Sequence, residues 1–147
     1  MTRIKRLGYA QWPAREQADL GLLGTESQTL HNVPYMSTAS LQQGAAGRTT
    51  PEELLAAAYA GCFTMQLSAL LSADGHPPQQ LRTTAQCGLA EDQVDLKIST
   101  LHLEVHGQVE ALDQLEFEDY VAQALRSCPL SRVVSGNVEI IPTVRLL

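Results

Sequence analysis

Two apolar periodicities organise this chain. Between residues 54 and 73 hardly any charge interrupts, and apolar residues recur three and four apart. Leu54, Ala58, Cys62, Met65 and Ala69 form one stripe, with Leu55, Tyr59, Phe63, Gln66 and Leu70 beside it. That spacing predicts a helix. Its ends agree: Thr50 is placed to cap it, Pro51 takes the favoured first position, and Glu52 and Glu53 oppose the positive end of the dipole. Gly75 closes it, and Pro77-Pro78 prevents resumption. A helix apolar nearly all round must be covered on most sides. In a small protein it is either wrapped by sheet or packed against a partner chain.

Elsewhere the period changes. Residues 81–90 and 94–109 read as strands. In the second, Leu96 and Ile98 share one parity and Leu101, Leu103, Val105 and Val109 the other, so a bulge is predicted near Ser99-Thr100. "DQLEFEDYVAQALRSC" returns to helical spacing, with Phe117, Val121, Ala124 and Cys128 on its apolar face and Pro129 breaking it. Residues 4–12, 17–31 and 33–41 read as an antiparallel meander, 42–50 as a loop, and "GNVEIIPTVRLL" as a closing strand. Strands, helix, strands, helix, strand make an α+β domain, and 147 residues suit a single domain over 1–147.

Composition narrows the function classes. With 44% hydrophobic and 18% charged residues the chain is globular. A net charge of −6, without a basic stripe, argues against nucleic acid. Arg3, Lys5 and Arg6 precede Gly8, Tyr9 and Trp12 rather than an apolar segment, so no signal peptide is expected. No unbroken run of 18 apolar residues suggests a membrane span. Three cysteines without a secretory signal favour reduced or reactive thiols in the cytoplasm over a disulfide framework.

Two of those cysteines share a setting. Cys62 lies mid-helix in "AAAYAGCFTMQL", and Cys128 ends a second apolar face just before a proline. They are too far apart for a C-x-x-C pair. His31, His76, His102 and His106 lack metal-ligand spacing, so no metal is expected. His102, Glu104 and His106 share the solvated face of their strand. Two readings of the cysteines stay open: buried core thiols, or a peroxide-reducing dithiol. Cys87, on a predicted strand, reads as core filler. A reactive Cys62 needs a cation, because a dry helix face raises a thiol's pKa. Arg48 is the nearest candidate, and Glu52 is close enough in sequence to pair with it and fix its fork. Glu52 and Cys62 stand about 15 Å apart along one helix. Two copies packed antiparallel would bring Glu52 of one chain near Cys62 of the other, which points to a homodimer with shared sites.

"TTPEELLAAAYAGCFTMQLSALLSADG" together with "ALRSCPLSRVVSGNVEI" closely resembles the osmotically inducible protein C / organic hydroperoxide resistance (OsmC/Ohr) family. The P-E-E-L opening ten residues before A-G-C-F, and the later C-P-L-S, carry the likeness. "GYAQWPA", "GTESQTL" and "VPY" match its osmotically inducible branch. The resemblance implies an intertwined α+β homodimer, a curved antiparallel sheet around long central helices. It implies a thiol peroxidase acting on organic hydroperoxides, and on hydrogen peroxide less well, without haem, flavin or metal. Cys62 would be the peroxidatic thiolate, Cys128 the resolving thiol and Glu52 the carboxylate orienting a catalytic arginine. A dithiol, typically lipoyl-type, would regenerate it. The branch usually carries Arg-Phe a few residues after "PY"; here Ser40-Leu41 stands there, and Arg48 is the expected substitute. The alternative is a dimeric module of the same fold that binds apolar ligands with little or no catalysis. A cysteine hydrolase is disfavoured, since no histidine sits at a recognisable distance.

Overall fold

The computed structural model of the chain describes residues 3–14, 18–38, 47–91 and 95–147. It divides into two compact units, Met1–Leu54 and Leu55–Leu147. The first holds an antiparallel meander in the order β1 (Gly8–Gln11), β2 (Gly21–Thr25), β3 (Val33–Tyr35). Gly21 sits against the rings of Tyr35 and Trp12, where a Cβ would collide with both. Those rings meet at 5.6 Å between centroids.

Helix α1 (Pro51–Ala73) begins in the first unit and runs through the second. Its ends are set locally. The Thr50 hydroxyl accepts the Glu53 N–H at 3.2 Å. At the other end Gly75, at φ +83°, allows the N–H groups of Gly75 and His76 to turn back onto the carbonyls of Ser72 and Leu71. That double bond closes a Schellman cap, which a left-handed glycine makes cheaply. The buried stripe is Ala56, Tyr59, Phe63, Leu67 and Leu71; it shares Tyr59 and Phe63 with the second stripe read in the sequence and has Ala56, Leu67 and Leu71 where that stripe had Leu55, Gln66 and Leu70. Ala57, Ala58, Gly61, Met65 and Ala69 are exposed, Met65 at 71%. By length and composition alone α1 would suffice to cross a membrane, which corrects the expectation that no segment does. Its buried stripe is nevertheless packed into the core of the second unit.

The second unit is a three-stranded sheet, β4 (Gln80–Glu91), β5 (Leu96–Gln108), β6 (Glu139–Leu146), with helices α2 (Gln114–Ser127) and α3 (Pro129–Val134) between β5 and β6. β4 and β5 are antiparallel; β6 runs parallel to β5. The sheet is therefore mixed rather than wholly antiparallel, because the chain crosses back through two helices before it pairs again. The bulge falls where the parity slip predicts: Gly88 faces Thr100 and Leu89 faces Ile98, which leaves Ser99 unmatched. Beyond it Leu101, Leu103 and Val105 are buried while His102 and Glu104 are exposed.

The predicted apolar face of α2 is the observed one. Phe117, Val121, Ala124 and Cys128 are all buried against Tyr59, Phe63, Leu67 and Leu71 of α1 and the inward residues of β5. Burying a side chain such as Phe117 stabilises the unit by roughly 1.5–3 kcal/mol. Asp113 caps α2 in a reciprocal capping box with Glu116. Pro129 ends α2, as expected, and at once opens α3 as its first residue, because a ring that breaks a helix interior suits a helix start.

Candidate active site

Three helices bring the two cysteines together. Cys62 is half-buried in the middle of α1. Cys128 is fully buried at the joint between α2 and α3, ending one helix and capping the next. Proline at 129 holds the preceding residue out of helical geometry, and Cys128 accordingly sits extended at φ −63°, ψ 126°. Its sulfur lies 2.9 Å from that of Cys62, and no disulfide joins them. A hydrogen bond from Gln66 to Ser127, at 3.0 Å, fastens α1 to the end of α2 beside the pair.

The surroundings treat the two thiols differently. Burial pushes the Cys62 thiol up, and its contact with Cys128 adds to this, with the Leu130 N–H acting weakly against. Burial also raises Cys128, but it is outweighed there. A hydrogen bond from Cys62, the Ser131 N–H and hydroxyl, and the Leu130 N–H bring Cys128 below the ordinary thiol value. Cys128 donates to the Cys62 sulfur, while the polar groups around Cys128 favour charge on it. Among the described residues, none of the influences on Cys62 is a cationic side chain.

Behind Cys128 lies a buried pair that sequence reasoning missed. The Tyr59 hydroxyl meets the Ser131 hydroxyl at 2.7 Å, with both residues buried. The signal for Ser131 was present, as the last residue of C-P-L-S; Tyr59 reads only as one more apolar stripe position.

Glu52 and Arg48 belong to the first unit. Glu52, in the first turn of α1, accepts a hydrogen bond from the Thr38 hydroxyl at 2.7 Å. Arg48 is exposed, and no ion pair joins it to Glu52. The expected Arg48–Glu52 pair is thus not formed; a neutral hydroxyl from the end of the meander occupies the carboxylate instead. Ser40-Leu41, where the resemblance would place an arginine, lies outside the described residues.

The remaining candidates lie on other elements. Cys87 is half-buried on β4 and packs against the core. Among the described residues no group of three or more His, Cys, Asp or Glu could hold a metal ion. A cavity of about 280 Å³, lined by Arg82, Thr84, Glu104 and His106, opens on the outer face of β4 and β5. It contains no nucleophile, and its His106 is bonded to Glu104 at 2.8 Å.

Known proteins share this sequence and fold. The profile described as OsmC-like protein matches residues 44–143. The peroxiredoxin OsmC of Escherichia coli strain K12 is 32% identical over 135 residues, covering 92% of this chain and 93% of its own. The organic hydroperoxide resistance protein OhrA of Bacillus subtilis strain 168 is 33% identical over 93 residues, 63% of this chain and 64% of its own. A crystal structure from Legionella pneumophila, an organic hydroperoxide resistance protein OsmC and predicted redox protein, superposes with a TM-score of 0.77 at 25% identity, covering 98% of each chain. On the sequence match over most of its length and on its fold, this chain belongs to the OsmC-like protein family.

Proposed function

We propose that this protein is a cysteine-based peroxidase that reduces organic hydroperoxides, and hydrogen peroxide less well, using Cys62 and Cys128. The observation that carries the reading is the 2.9 Å approach of two free sulfurs, one half-buried and one buried. The names of the relatives, peroxiredoxin OsmC and organic hydroperoxide resistance protein OhrA, support the substrate class.

Once the pair has lost one proton, the remaining proton moves along the S–H···S contact. With it on Cys128, Cys62 carries the charge and is the sulfur a peroxide can meet. The Cys62 thiolate attacks the distal peroxide oxygen; the O–O bond breaks, the alkoxide takes up a proton, and Cys62 becomes a sulfenic acid. Cys128 then attacks that sulfur and expels hydroxide, which leaves as water, giving the Cys62–Cys128 disulfide. A dithiol, of lipoyl type on the family resemblance, restores both thiols.

We assign Arg48 as the cation that favours charge on Cys62 and meets the developing alkoxide. We read 1–147 as one domain, since the Legionella match spans both units. We also propose a homodimer in which the exposed face of α1, with Ala57, Ala58, Gly61, Met65 and Ala69, packs on a second copy. That places Glu52 of one chain near Cys62 of the other. A reducing, cytoplasmic setting keeps the thiols free. The second reading, a weakly catalytic dimeric module for apolar ligands, is favoured by one observation: among the described residues no cationic side chain acts on Cys62. Hydroperoxide consumption in the presence of a dithiol separates the two. Turnover abolished by Cys62→Ser supports the peroxidase; no turnover by the unmodified chain supports the module.

A further inference from the structure

Three contacts join α1 to the joint between α2 and α3, and they lie in register. Tyr59, Cys62 and Gln66 are spaced three and four apart, so they share one face of α1. Their partners run the other way along the joint. The Tyr59 hydroxyl meets the Ser131 hydroxyl at 2.7 Å, the Cys62 sulfur meets that of Cys128 at 2.9 Å, and the Gln66 amide meets the Ser127 hydroxyl at 3.0 Å. The sulfurs are the middle rung. The inner rung is buried, and the outer one is at the surface. The outer rung has a defined direction. A hydroxyl has one hydrogen, and that of Ser127 goes to the Gln123 carbonyl, one turn back in α2, at 2.9 Å. Its oxygen accepts the Gln66 Nε2–H.

We propose that Gln66 and Ser127 on one side, and Tyr59 and Ser131 on the other, are positioning residues that hold Cys62 and Cys128 in bonding register before any disulfide forms. The inference rests on the Cys62–Cys128 disulfide of the proposed function, but not on peroxide as its oxidant. Apolar packing does not supply that register by itself. Phe63, Leu67, Phe117, Val121 and Ala124 are buried together, and such contacts are non-directional. They resist separation of the helices more than a slide of one along the other. Hydrogen bonds are directional, and one on either side of the sulfurs fixes the slide.

Register sets how readily the disulfide forms. Two groups already held together lose little further freedom when they bond, whereas a loose pair must lose much. The effective concentration of one thiol at the other is therefore higher with the flanking rungs than without them, and the disulfide is correspondingly harder to reduce. The step balances: each thiol loses a proton, the S–S bond forms, and two electrons pass to an oxidant. With the cyclic disulfide of dithiothreitol as that oxidant, its own S–S bond breaks and it takes up both electrons and both protons as the dithiol.

A plain structural role is the competing account: the two hydrogen bonds would stabilise the reduced and the oxidised protein alike. Equal effects on both states cancel in a reduction potential. An effect on register does not cancel, because the disulfide itself holds the joint when a rung is removed, and the reduced pair has nothing in its place.

The test equilibrates the whole chain in dithiothreitol buffers of graded ratio, without peroxide. Acid quenching, alkylation and peptide mass spectrometry then give the fraction with Cys62 joined to Cys128. Gln66→Leu and Ser127→Ala each delete the outer rung, and Ser127 is exposed, so its variant should fold. Each should lower the equilibrium constant for the disulfide about fivefold, as an ordinary hydrogen bond contributes. That is a rise of about 20 mV in reduction potential, at about 30 mV per tenfold change. The double variant should go no further, since both changes remove one bond. Ser127→Thr keeps the hydroxyl and should keep the unmodified potential, and Tyr59→Phe should raise it in the same direction. Unchanged potentials in all the variants, with only the urea midpoints lowered, would leave the structural role alone and overturn the proposal. An unmodified chain that forms no Cys62–Cys128 disulfide overturns it too. A chain that shows the expected shifts but spares hydroperoxides refutes the peroxidase reading while supporting this one.

Discussion

The Cys128 sulfur lies 2.9 Å from that of Cys62, across 66 residues of sequence. Neither cysteine reaches the other through local structure. α1 presents Cys62 on the flank of its buried stripe, and the break between α2 and α3 presents Cys128. Treating the reduced protein with a slight excess of an organic hydroperoxide should remove two of the three thiols per chain, as counted with a thiol reagent, with Cys87 retained. Cys62→Ser should keep both remaining thiols. Cys128→Ser should lose one and become trappable as a sulfenic acid by dimedone. Loss of Cys87 in place of Cys128 would show that the 2.9 Å contact is not the redox pair.

Among the described residues Glu52 is held by a hydroxyl rather than by a guanidinium, and this gives its environment a testable role. Arg48→Ala should lower the second-order rate with an organic hydroperoxide by about 10²–10³ if that guanidinium meets the developing charge. Thr38→Val removes the only hydrogen bond that the described residues give the Glu52 carboxylate. It should cost about 1 kcal/mol of stability, read from the urea midpoint, and slow the reaction less than Arg48→Ala does. A rate unaffected by Arg48→Ala would remove Arg48 from the chemistry, whatever Thr38→Val does.

How much of this was legible in the sequence differs by residue. The apolar face of α2 was readable because Phe117, Val121, Ala124 and Cys128 alternate with charged residues, and one face stands out. The bulge was readable because a strand has a strict period of two, and Ser99 breaks it. α1 offered no such contrast: with Ala, Leu and Met on every side, its buried stripe is fixed by what packs on it, and Leu67 and Leu71 were passed over for Gln66 and Leu70. The sulfurs were legible as candidates, but their contact is long-range and no periodicity reports it. Arg48–Glu52 pairing failed as an expectation because nearness in sequence says nothing about competitors, and Thr38 reached the carboxylate. Tyr59–Ser131 was hidden for the same reason, as a polar handle on a residue that otherwise behaves as a hydrophobe.

Gly107 lies in β5 opposite Leu81, buried, and the Phe117 ring of α2 presses on the space where its Cβ would stand. The glycine is there for close approach and not for backbone freedom, since it carries no positive φ. Gly107→Ala should therefore destabilise the protein by roughly 1–3 kcal/mol through overpacking, read as a lower urea midpoint with an unchanged slope. Phe117→Leu in the same chain should recover part of that loss by vacating the space, even though Phe117→Leu alone is destabilising. Additive losses in the double variant would mean that the ring is not what the methyl meets.

The Tyr59 phenol is raised above the ordinary tyrosine value of 10.0, chiefly by burial; the Ser131 hydrogen bond works against this and the two nearby sulfurs add to it. The sign of the linkage follows. Between pH 10.0 and its raised folded value the native protein keeps a proton that the unfolded chain has lost, so stability must fall as pH rises through that window. Its contribution is fully present below pH 10.0. Tyr59→Phe deletes this term together with the hydrogen bond to Ser131. At pH 8 the variant should be less stable by about 1 kcal/mol, since the buried Tyr59–Ser131 hydrogen bond is lost. Above pH 10.0 the unmodified protein should lose stability faster, by up to about 1.4 kcal/mol per pH unit for one proton, and the two curves should converge. The remaining tyrosines titrate in both proteins and cancel in the comparison. Urea midpoints measured at half-unit steps from pH 8 to 11 decide it. A constant difference across that range would mean that the phenol ionises without feeling the core, and that Tyr59 is not held behind Cys128 as the geometry has it.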